Sequence, residues 1–355
     1  MRRIDVADLE RRIVAGDRVA LAQAITLVES KAERHRILAD ELIDRITPRS
    51  KSSVRVGISG VPGAGKSTFI DALGLNLVRQ GHRLAVLSVD PSSPVSGGSI
   101  LGDKTRMDRL SRETDVFIRP SPSGGLLGGV ARRTREAIAL CEAAGYDTIL
   151  VETVGVGQSE TLVRSMVDCF VVLTIAGAGD ELQGMKKGIL ELAHLVVVNK
   201  ADGDNQVRAE STALEFERAL RYFDVKGDDW KPRVKTCSAI TGMGVPEVWL
   251  AVEEYIRRAE SGGDLDRVRR QQNVSWMNDL LVRLLVDLCD SNKELRAMRV
   301  ALEGEVAEGG VSARRAAQHI VDQVISGLRR EHFEEGHNRD ALFGKKRGVG
   351  AADLP

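Results

Sequence analysis

The chain has no excess of either charge. Its 51 Lys and Arg are matched by 51 Asp and Glu over 355 residues. Nucleic-acid binders usually carry a basic surplus, so the balance speaks against that class of partner. No apolar run approaches the ~18 residues that a membrane span requires. The first 30 residues hold no apolar signal core, and Asp5, Asp8, Glu10, Asp17 and Glu29 make them too acidic for a transit peptide. These absences predict a cytoplasmic protein with neither a nucleic acid nor a membrane as partner. The four cysteines, Cys141, Cys169, Cys237 and Cys289, are far apart in the sequence. They form neither a disulfide framework nor a paired zinc motif. Of the six histidines only His332 and His337 lie close together, in a polar stretch. Internal repeats and low-complexity tracts are lacking. At 43% hydrophobic and 29% charged residues, the composition is that of an ordinary globular chain.

What is present is sharper. Residues 60–67 run Gly60-Val61-Pro62-Gly63-Ala64-Gly65-Lys66-Ser67 and fit the phosphate-loop pattern G-x-x-x-x-G-K-[ST]. Val54–Ser59 before it reads as a buried strand, and Thr68–Val78 after it as a helix with apolar residues at helical spacing. The loop glycines let the amides of Pro62-Gly63-Ala64-Gly65-Lys66-Ser67-Thr68 curl around a phosphate, apart from Pro62, which has no N–H. The helix start adds partial positive charge. Lys66 can reach the β and γ phosphates, and the Ser67 hydroxyl can ligate Mg²⁺.

Around this motif the chain divides into four. Residues 1–50 read as helices, with Ile4, Val6, Leu9 and Ile13, then Leu21, Ile25 and Val28, at helical spacing, Gly16-Asp17 between segments and Pro48 at the end. From 51 to 260, short β-branched runs alternate with helical ones. The strand-like runs are Val54–Ser59, Leu84–Val89, Val116–Ile118, Thr148–Val151, Cys169–Ile175, Leu195–Val198 and Val234–Cys237, with helical stretches such as Ala131–Ala144 and Asn205–Tyr222 between them. Continuous apolar strands of this kind belong to parallel sheets covered on both faces. The pattern predicts an α/β fold, a doubly wound and mostly parallel sheet with helical extensions at both ends, whose active site lies at the carboxyl ends of the strands. After Ser261-Gly262-Gly263-Asp264 no strand appears. Val268–Leu288 and Val311–Leu328 show helical spacing among many Arg and Glu, which marks 261–333 as helices that must pack on something else. The polar, Gly-rich stretch 334–355 reads as disordered.

The other motifs follow strands. Asn199-Lys200-Ala201-Asp202 stands 133 residues after Lys66 (199 − 66) and has the form N-K-x-D. An Asp here accepts from the N1–H and amino group of guanine, whereas adenine would leave the carboxylate unpaired. Asn199 and Lys200 brace the loop and cover the ring. Ser238-Ala239-Ile240 can bring a backbone N–H to the guanine carbonyl. Glu152 ends another strand, and with Ser67, Asp90 and Asp103 it supplies oxygen ligands for Mg²⁺, some through water. Gly155 can offer its N–H to the γ-phosphate. The next residue is Val156, where Ras-type GTPases place a water-orienting Gln, and Gln158 lies two further on. Slow hydrolysis by the isolated protein is expected. The Gly-rich loop Gly177–Gly188, with Asp180, Gln183, Lys186 and Lys187, is either a helper swung toward the phosphates or a loop with solvated lysines.

Taken together, GVPGAGKST (60–68), SVDPSS (88–93), GSILGDKTRM (98–107), RPSPSGGLLGG (119–129), ETVGVGQSE (152–160), AGAGDELQGMKKGI (176–189) and NKAD (199–202) resemble the MeaB/ArgK/MMAA family. These are GTPases that act as chaperones of B12-dependent acyl-CoA mutases, chiefly methylmalonyl-CoA mutase, and the resemblance covers nearly the whole chain. It implies that Lys66, Ser67 and Thr68 bind phosphate and Mg²⁺, and that Asp90, Asp103 and Glu152 belong to the Mg²⁺ environment. It also implies that Lys104 and Arg106 lie in a first switch and residues 152–160 in a second. Gln183 and Lys186 would then lie in a third switch that couples hydrolysis to the mutase. It further implies a homodimer through the C-terminal helices, and gating by GTP of adenosylcobalamin loading and of damaged-cofactor removal. Lys66, Glu152, Gln183 and Lys186 are the expected catalytic set. Two other readings remain open. A metal-inserting GTPase would carry Cys or His clusters near the nucleotide, which this chain lacks. A phosphotransferase on the same loop would usually take ATP, against the N-K-x-D motif.

Overall fold

The computed structural model of the chain describes residues 4–30, 32–49, 52–89, 107–120, 127–153, 159–177, 187–221 and 230–334. Seven strands among them form one sheet: β1 (Val54–Gly60), β2 (Leu84–Val89), β3 (Val116–Arg119), β4 (Thr148–Thr153), β5 (Cys169–Ile175), β6 (Leu195–Asn199) and β7 (Arg233–Thr236). The order is β3-β2-β4-β1-β5-β6-β7, and every neighbouring pair runs parallel. β2 and β4 are buried along their whole length and β5 along nearly all of it, as their continuous apolar runs require. The chain leaves β1 to one side for β2 and later crosses to β5 on the other. The switch point of the topology therefore falls at β1, where ligands of such sheets bind beyond the strand ends.

Helices cover both faces. The helices among the described residues are α1 (Val6–Val14), α2 (Arg18–Glu29), α3 (Glu33–Ile46), α4 (Lys66–Arg79), α5 (Leu127–Ala143), α6 (Ser159–Arg164), α7 (Lys187–Leu190), α8 (Gln206–Leu220), α9 (Val245–Ser261), α10 (Asp264–Ser291), α11 (Lys293–Ala307) and α12 (Ala313–Glu334). Two glycines show which helix takes which face. A Cβ on Gly74 of α4 would lie 2.8 Å from the Leu84 side chain of β2, so α4 covers the face to which Leu84 points. A Cβ on Gly57 of β1 would lie 2.9 Å from Val163 of α6 and 2.8 Å from Phe170, so α6 covers the other.

The N-terminal helices pack on this core. Asp5 and Asp17 cap α1 and α2 by accepting from the amides two and three residues on. Leu9, Ile13, Leu21, Ile25, Leu42 and Ile46 are buried. Glu29 pairs with Arg119 of β3, and Asp40 with Arg132 of α5 at 2.6 Å.

The chain forms two compact units, one up to Trp276 and one from Met277. In the first, the opening turns of α10 are held by a buried polar cluster. Arg269 donates through Nε to Asp168 Oδ1 (2.8 Å) and through Nη2 to Asp168 Oδ2 (2.7 Å) and the Ser53 carbonyl (2.5 Å). Gln272 donates to the Val167 carbonyl at 2.9 Å. In the second unit Asn292 caps α11 by accepting from the Glu294 and Leu295 amides. The helix α11 is a structural finding that the apolar pattern does not announce: of Leu295, Met298, Val300, Leu302 and Val306, Leu302 alone is buried. Residues 335–355, read from sequence as disordered, lie outside the described residues.

Candidate functional site

The phosphate loop is shaped by its glycines. Gly63 and Gly65 have φ of +79° and +85°, values that L side chains rarely adopt. At Gly60 (φ +150°) a Cβ would fall 2.1 Å from the Leu173 carbonyl oxygen of β5, so no larger residue fits. Gly65 precedes α4 without any side-chain cap, which leaves the first amides of the helix for a ligand. Lys66 folds back over the loop and donates from Nζ to the Gly60 carbonyl at 2.8 Å, with the Val61 carbonyl at 3.4 Å. Burial lowers the Lys66 pKa below the ordinary lysine value, and the carboxylates of Glu152 and Glu160 oppose that shift. Glu160 thus brings a second buried charge near Lys66. Its signal in the sequence is an acid in the first turn of the helix that follows the Gly155 segment.

Ser67 donates from Oγ to Glu152 Oε1 at 2.9 Å, which joins the start of α4 to the end of β4. Glu152 is buried. A hydroxyl and a carboxylate together are hard oxygen donors of the kind Mg²⁺ takes, and the pair fits that ion. Among the described residues no three His, Cys, Asp or Glu side chains are grouped so as to hold a metal ion. On the opposite face of the sheet, Thr153 donates to Ser59 Oγ at 2.9 Å and links the ends of β4 and β1 beneath the loop.

The N-K-x-D segment is built into the same frame. Asn199, 1% exposed, donates from Nδ2 to the Ala64 carbonyl at 2.8 Å, so the end of β6 grips the phosphate loop. Its Oδ1 accepts from the Ala239 N–H at 3.1 Å and from the Cys237 thiol at 3.5 Å. One amide side chain therefore ties three segments that are distant in sequence. Lys200 adopts φ +60°, a left-handed turn that lets the chain leave β6, and its carbonyl accepts from Asn205 Nδ2 at 2.7 Å. Asp202 follows, and its Oδ1 is buried with no hydrogen-bond partner. A buried acceptor of this kind costs stability in the folded chain and is kept where a ligand supplies the donor.

The Ser238–Ile240 turn lies alongside. The Ser238 N–H donates to the Met243 carbonyl at 2.8 Å, and its Oγ accepts from Thr241 N–H at 3.2 Å. With the Ala239 N–H given to Asn199, two of the three amides in this turn are engaged within the protein. Ile240 is 76% exposed. The structure thus gathers Pro62 to Thr68, Glu152, Asn199, Lys200, Asp202 and Ser238 to Ile240 at the carboxyl ends of β1, β4, β6 and β7. Asp90, Asp103, Gly155, Gln183 and Lys186 lie outside the described residues, as do Lys104, Arg106, Val156, Gln158 and Asp180.

Comparison with known proteins gives a consistent picture. The model of the family described as methylmalonyl Co-A mutase-associated GTPase MeaB matches residues 21–294. A Caulobacter vibrioides protein named as a putative GTPase is 50% identical over 318 residues, 90% of this chain and 97% of that one. The GTPase ArgK of Escherichia coli is 53% identical over 272 residues, 77% of this chain and 82% of its own. The mitochondrial methylmalonic aciduria type A homolog of Mus musculus is 45% identical over 330 residues, covering 90% and 79%. A crystal structure described as a LAO/AO transport system kinase superposes with a TM-score of 0.70 at 39% identity, covering 91% of this chain and 99% of that one.

Proposed function

The chain belongs to the family of methylmalonyl-CoA mutase-associated GTPases and is itself a P-loop GTPase, and from that premise we propose that it is a guanine-nucleotide-gated chaperone of a B12-dependent acyl-CoA mutase. Methylmalonyl-CoA mutase is the partner that the family description favours. In this reading GTP binding and hydrolysis gate adenosylcobalamin loading into the mutase and allow it to be protected or reactivated. The protein acts in the cytoplasm as a homodimer through its C-terminal helices. No described helix is long and apolar enough to cross a membrane.

The observation that carries the nucleotide part is the buried, unpartnered Asp202 Oδ1, held on a segment that Asn199 fastens to the phosphate loop. Guanine presents two adjacent donors to such a carboxylate, and adenine presents none. The amides of residues 63–68 and the start of α4 bind the phosphates. Lys66 exchanges the Gly60 carbonyl for phosphate oxygens and offsets their developing charge. Ser67 and Glu152, together with Asp90 and Asp103, hold Mg²⁺. That ion, when bound, neutralises charge across the β and γ phosphates. Gly155 reports the γ-phosphate through its N–H. Gln183 and Lys186 complete the hydrolytic site when the mutase is engaged, which makes hydrolysis slow in the isolated protein.

Exposed apolar side chains on α10 support the dimer. Met277, Leu281, Leu284, Leu285 and Leu288 are each more than two-fifths exposed, an apolar stripe that a second copy can cover. Co-expression with the mutase provides the test. The two proteins are expected to co-purify in a nucleotide-dependent way, and the mutase is expected to raise GTP turnover. Absence of both the complex and the stimulation contradicts the chaperone assignment.

A further inference from the structure

Ser88, one residue before the end of β2, is 4% exposed, and its hydroxyl has no hydrogen-bond partner. Two other buried hydroxyls among the described residues share that state, Ser159 and Thr174. Their surroundings differ. Ser159 lies on α6, and Thr174 alternates along β5 with Phe170 and Val172 toward the α6 side of the sheet. Ser88 lies on the α4 side. Leu84 faces α4, and residues 84, 86 and 88 of a strand share a face. In the parallel register Ser88 stands directly beside Glu152 of β4. Glu152 in turn accepts from Ser67 in the first turn of α4. The hydroxyl therefore sits at the carboxyl end of the sheet, beside the carboxylate and beneath the helix start that bear the oxygen ligands.

A buried hydroxyl that bonds to nothing is a cost to the folded chain, and strand interiors normally place an apolar side chain there. The neighbours of Ser88 in the strand, Leu87 and Val89, follow that rule, whereas Ser88 itself breaks it beside a carboxylate that fits a cation. Mg²⁺ keeps several of its waters when proteins bind it, and those waters need acceptors. Groups outside the ligand set that hold such waters govern metal affinity.

We infer that Ser88 is a positioning residue of the metal site: its hydroxyl accepts a hydrogen bond from a water of the Mg²⁺ shell on the Glu152 side. This rests on the reading of the cleft as a site for Mg²⁺ and a guanine nucleotide. Ser88 touches neither the nucleotide nor the ion, so its effect is confined to the metal dependence of binding.

The test is a Mg²⁺ titration of fluorescent GDP binding to the full chain, in the parent and in Ser88→Ala. The variant is expected to need about 10-fold more Mg²⁺ for half-maximal effect, the scale on which outer-shell partners act. Its GDP affinity in EDTA is expected to equal the parent's. Thermal unfolding without nucleotide or metal is expected to occur at the same temperature or a higher one, because the substitution removes an unpartnered hydroxyl. Ser88→Cys keeps the shape of the side chain, somewhat enlarged, with a weaker acceptor and is expected to shift the titration in the same direction, which keeps the test available should the alanine variant fold poorly. Identical Mg²⁺ midpoints in parent and variants overturn the inference. So does a drop in thermal stability with no change in the titration, the mark of a structural serine. A parent whose GDP binding ignores Mg²⁺ overturns the underlying metal reading itself, an outcome distinct from an unshifted variant.

Discussion

The two ends of the nucleotide cleft are built differently. At the base end Asn199 bonds to the Ala64 carbonyl, the Ala239 amide and the Cys237 thiol, and Asp202 is left with a buried acceptor that the protein does not use. At the phosphate end the two side chains of the loop that would meet the phosphates and the ion are already bonded to the protein. Lys66 bonds to loop carbonyls, and Ser67 bonds to Glu152. In the reading proposed above, base choice rests on Asp202, whose buried acceptor would meet the two adjacent donors of guanine. Phosphate binding would then be an exchange, in which a ligand must offer Lys66 more than the Gly60 carbonyl does. In that reading selectivity would belong to a hydrogen-bonded frame, and turnover to side chains that must exchange partners.

Breaking the phosphate end gives the largest effect. Lys66→Ala removes the only loop side chain able to follow charge onto the phosphates, and kcat is expected to fall by about 10²–10³-fold, the scale for loss of one charge-stabilising donor. The fold is expected to survive, since Lys66 is half-buried and the change removes only its bonds to the Gly60 and Val61 carbonyls at the edge of the cleft. Circular dichroism and single-turnover GTP hydrolysis together read both outcomes.

Cutting the tie between the ends comes next. Asn199→Ala strands the Ala64 carbonyl and the Ala239 amide in a buried setting, and unfolding stability is expected to fall by about 1–3 kcal/mol. Guanine affinity and phosphate affinity are both expected to drop, measured with GDP and with inorganic pyrophosphate. A loss at the base alone would show that the two ends are independent.

The smallest effect sharpens the comparison by looking at the scaffold away from either end. His194 is buried immediately before β6. Its Nδ1 accepts from the Phe170 N–H at 2.8 Å, and its Nε2 lies 3.0 Å from the Tyr255 hydroxyl and 3.2 Å from Arg164 Nη2. Burial, followed by the charge of Arg164, holds its pKa well below 6.5. The unfolded chain then takes up a proton near pH 6.5 that the folded chain refuses. Stability is therefore complete above that pH and declines as pH falls below it, with a slope of at most about 1.4 kcal/mol per pH unit. Denaturant melts between pH 7.5 and 5 are expected to show this slope in the parent and a flatter one in His194→Gln, with guanine preference unchanged.

Much of this was legible in the sequence, for physical reasons. The strands announced themselves because a sheet covered on both faces needs unbroken apolar runs, and Leu84–Val89 and Cys169–Ile175 have the expected limits. The phosphate loop was legible because backbone geometry demands Gly60 and Gly65. The strand order was not, since it depends on which helix faces pair. The grip of Asn199 on Ala64 was equally hidden, because it joins segments more than a hundred residues apart through one amide. Helix α11 escaped because a mostly solvated helix needs no apolar stripe, although Asn292 marks its start. Glu160 was legible only as the end of a motif, and its place near Lys66 needed the fold.

The central claim is that the folded chain selects guanine through Asp202 before any chemistry occurs. Competition of GTP, GDP and ATP against a fluorescent GDP analogue, on the parent and on Asp202→Asn, tests it most directly. GTP and GDP are expected to displace the analogue at far lower concentration than ATP in the parent, and the variant is expected to lose that preference and accept xanthine nucleotides. Equal displacement by ATP in the parent, or guanine preference intact in the variant, contradicts the account.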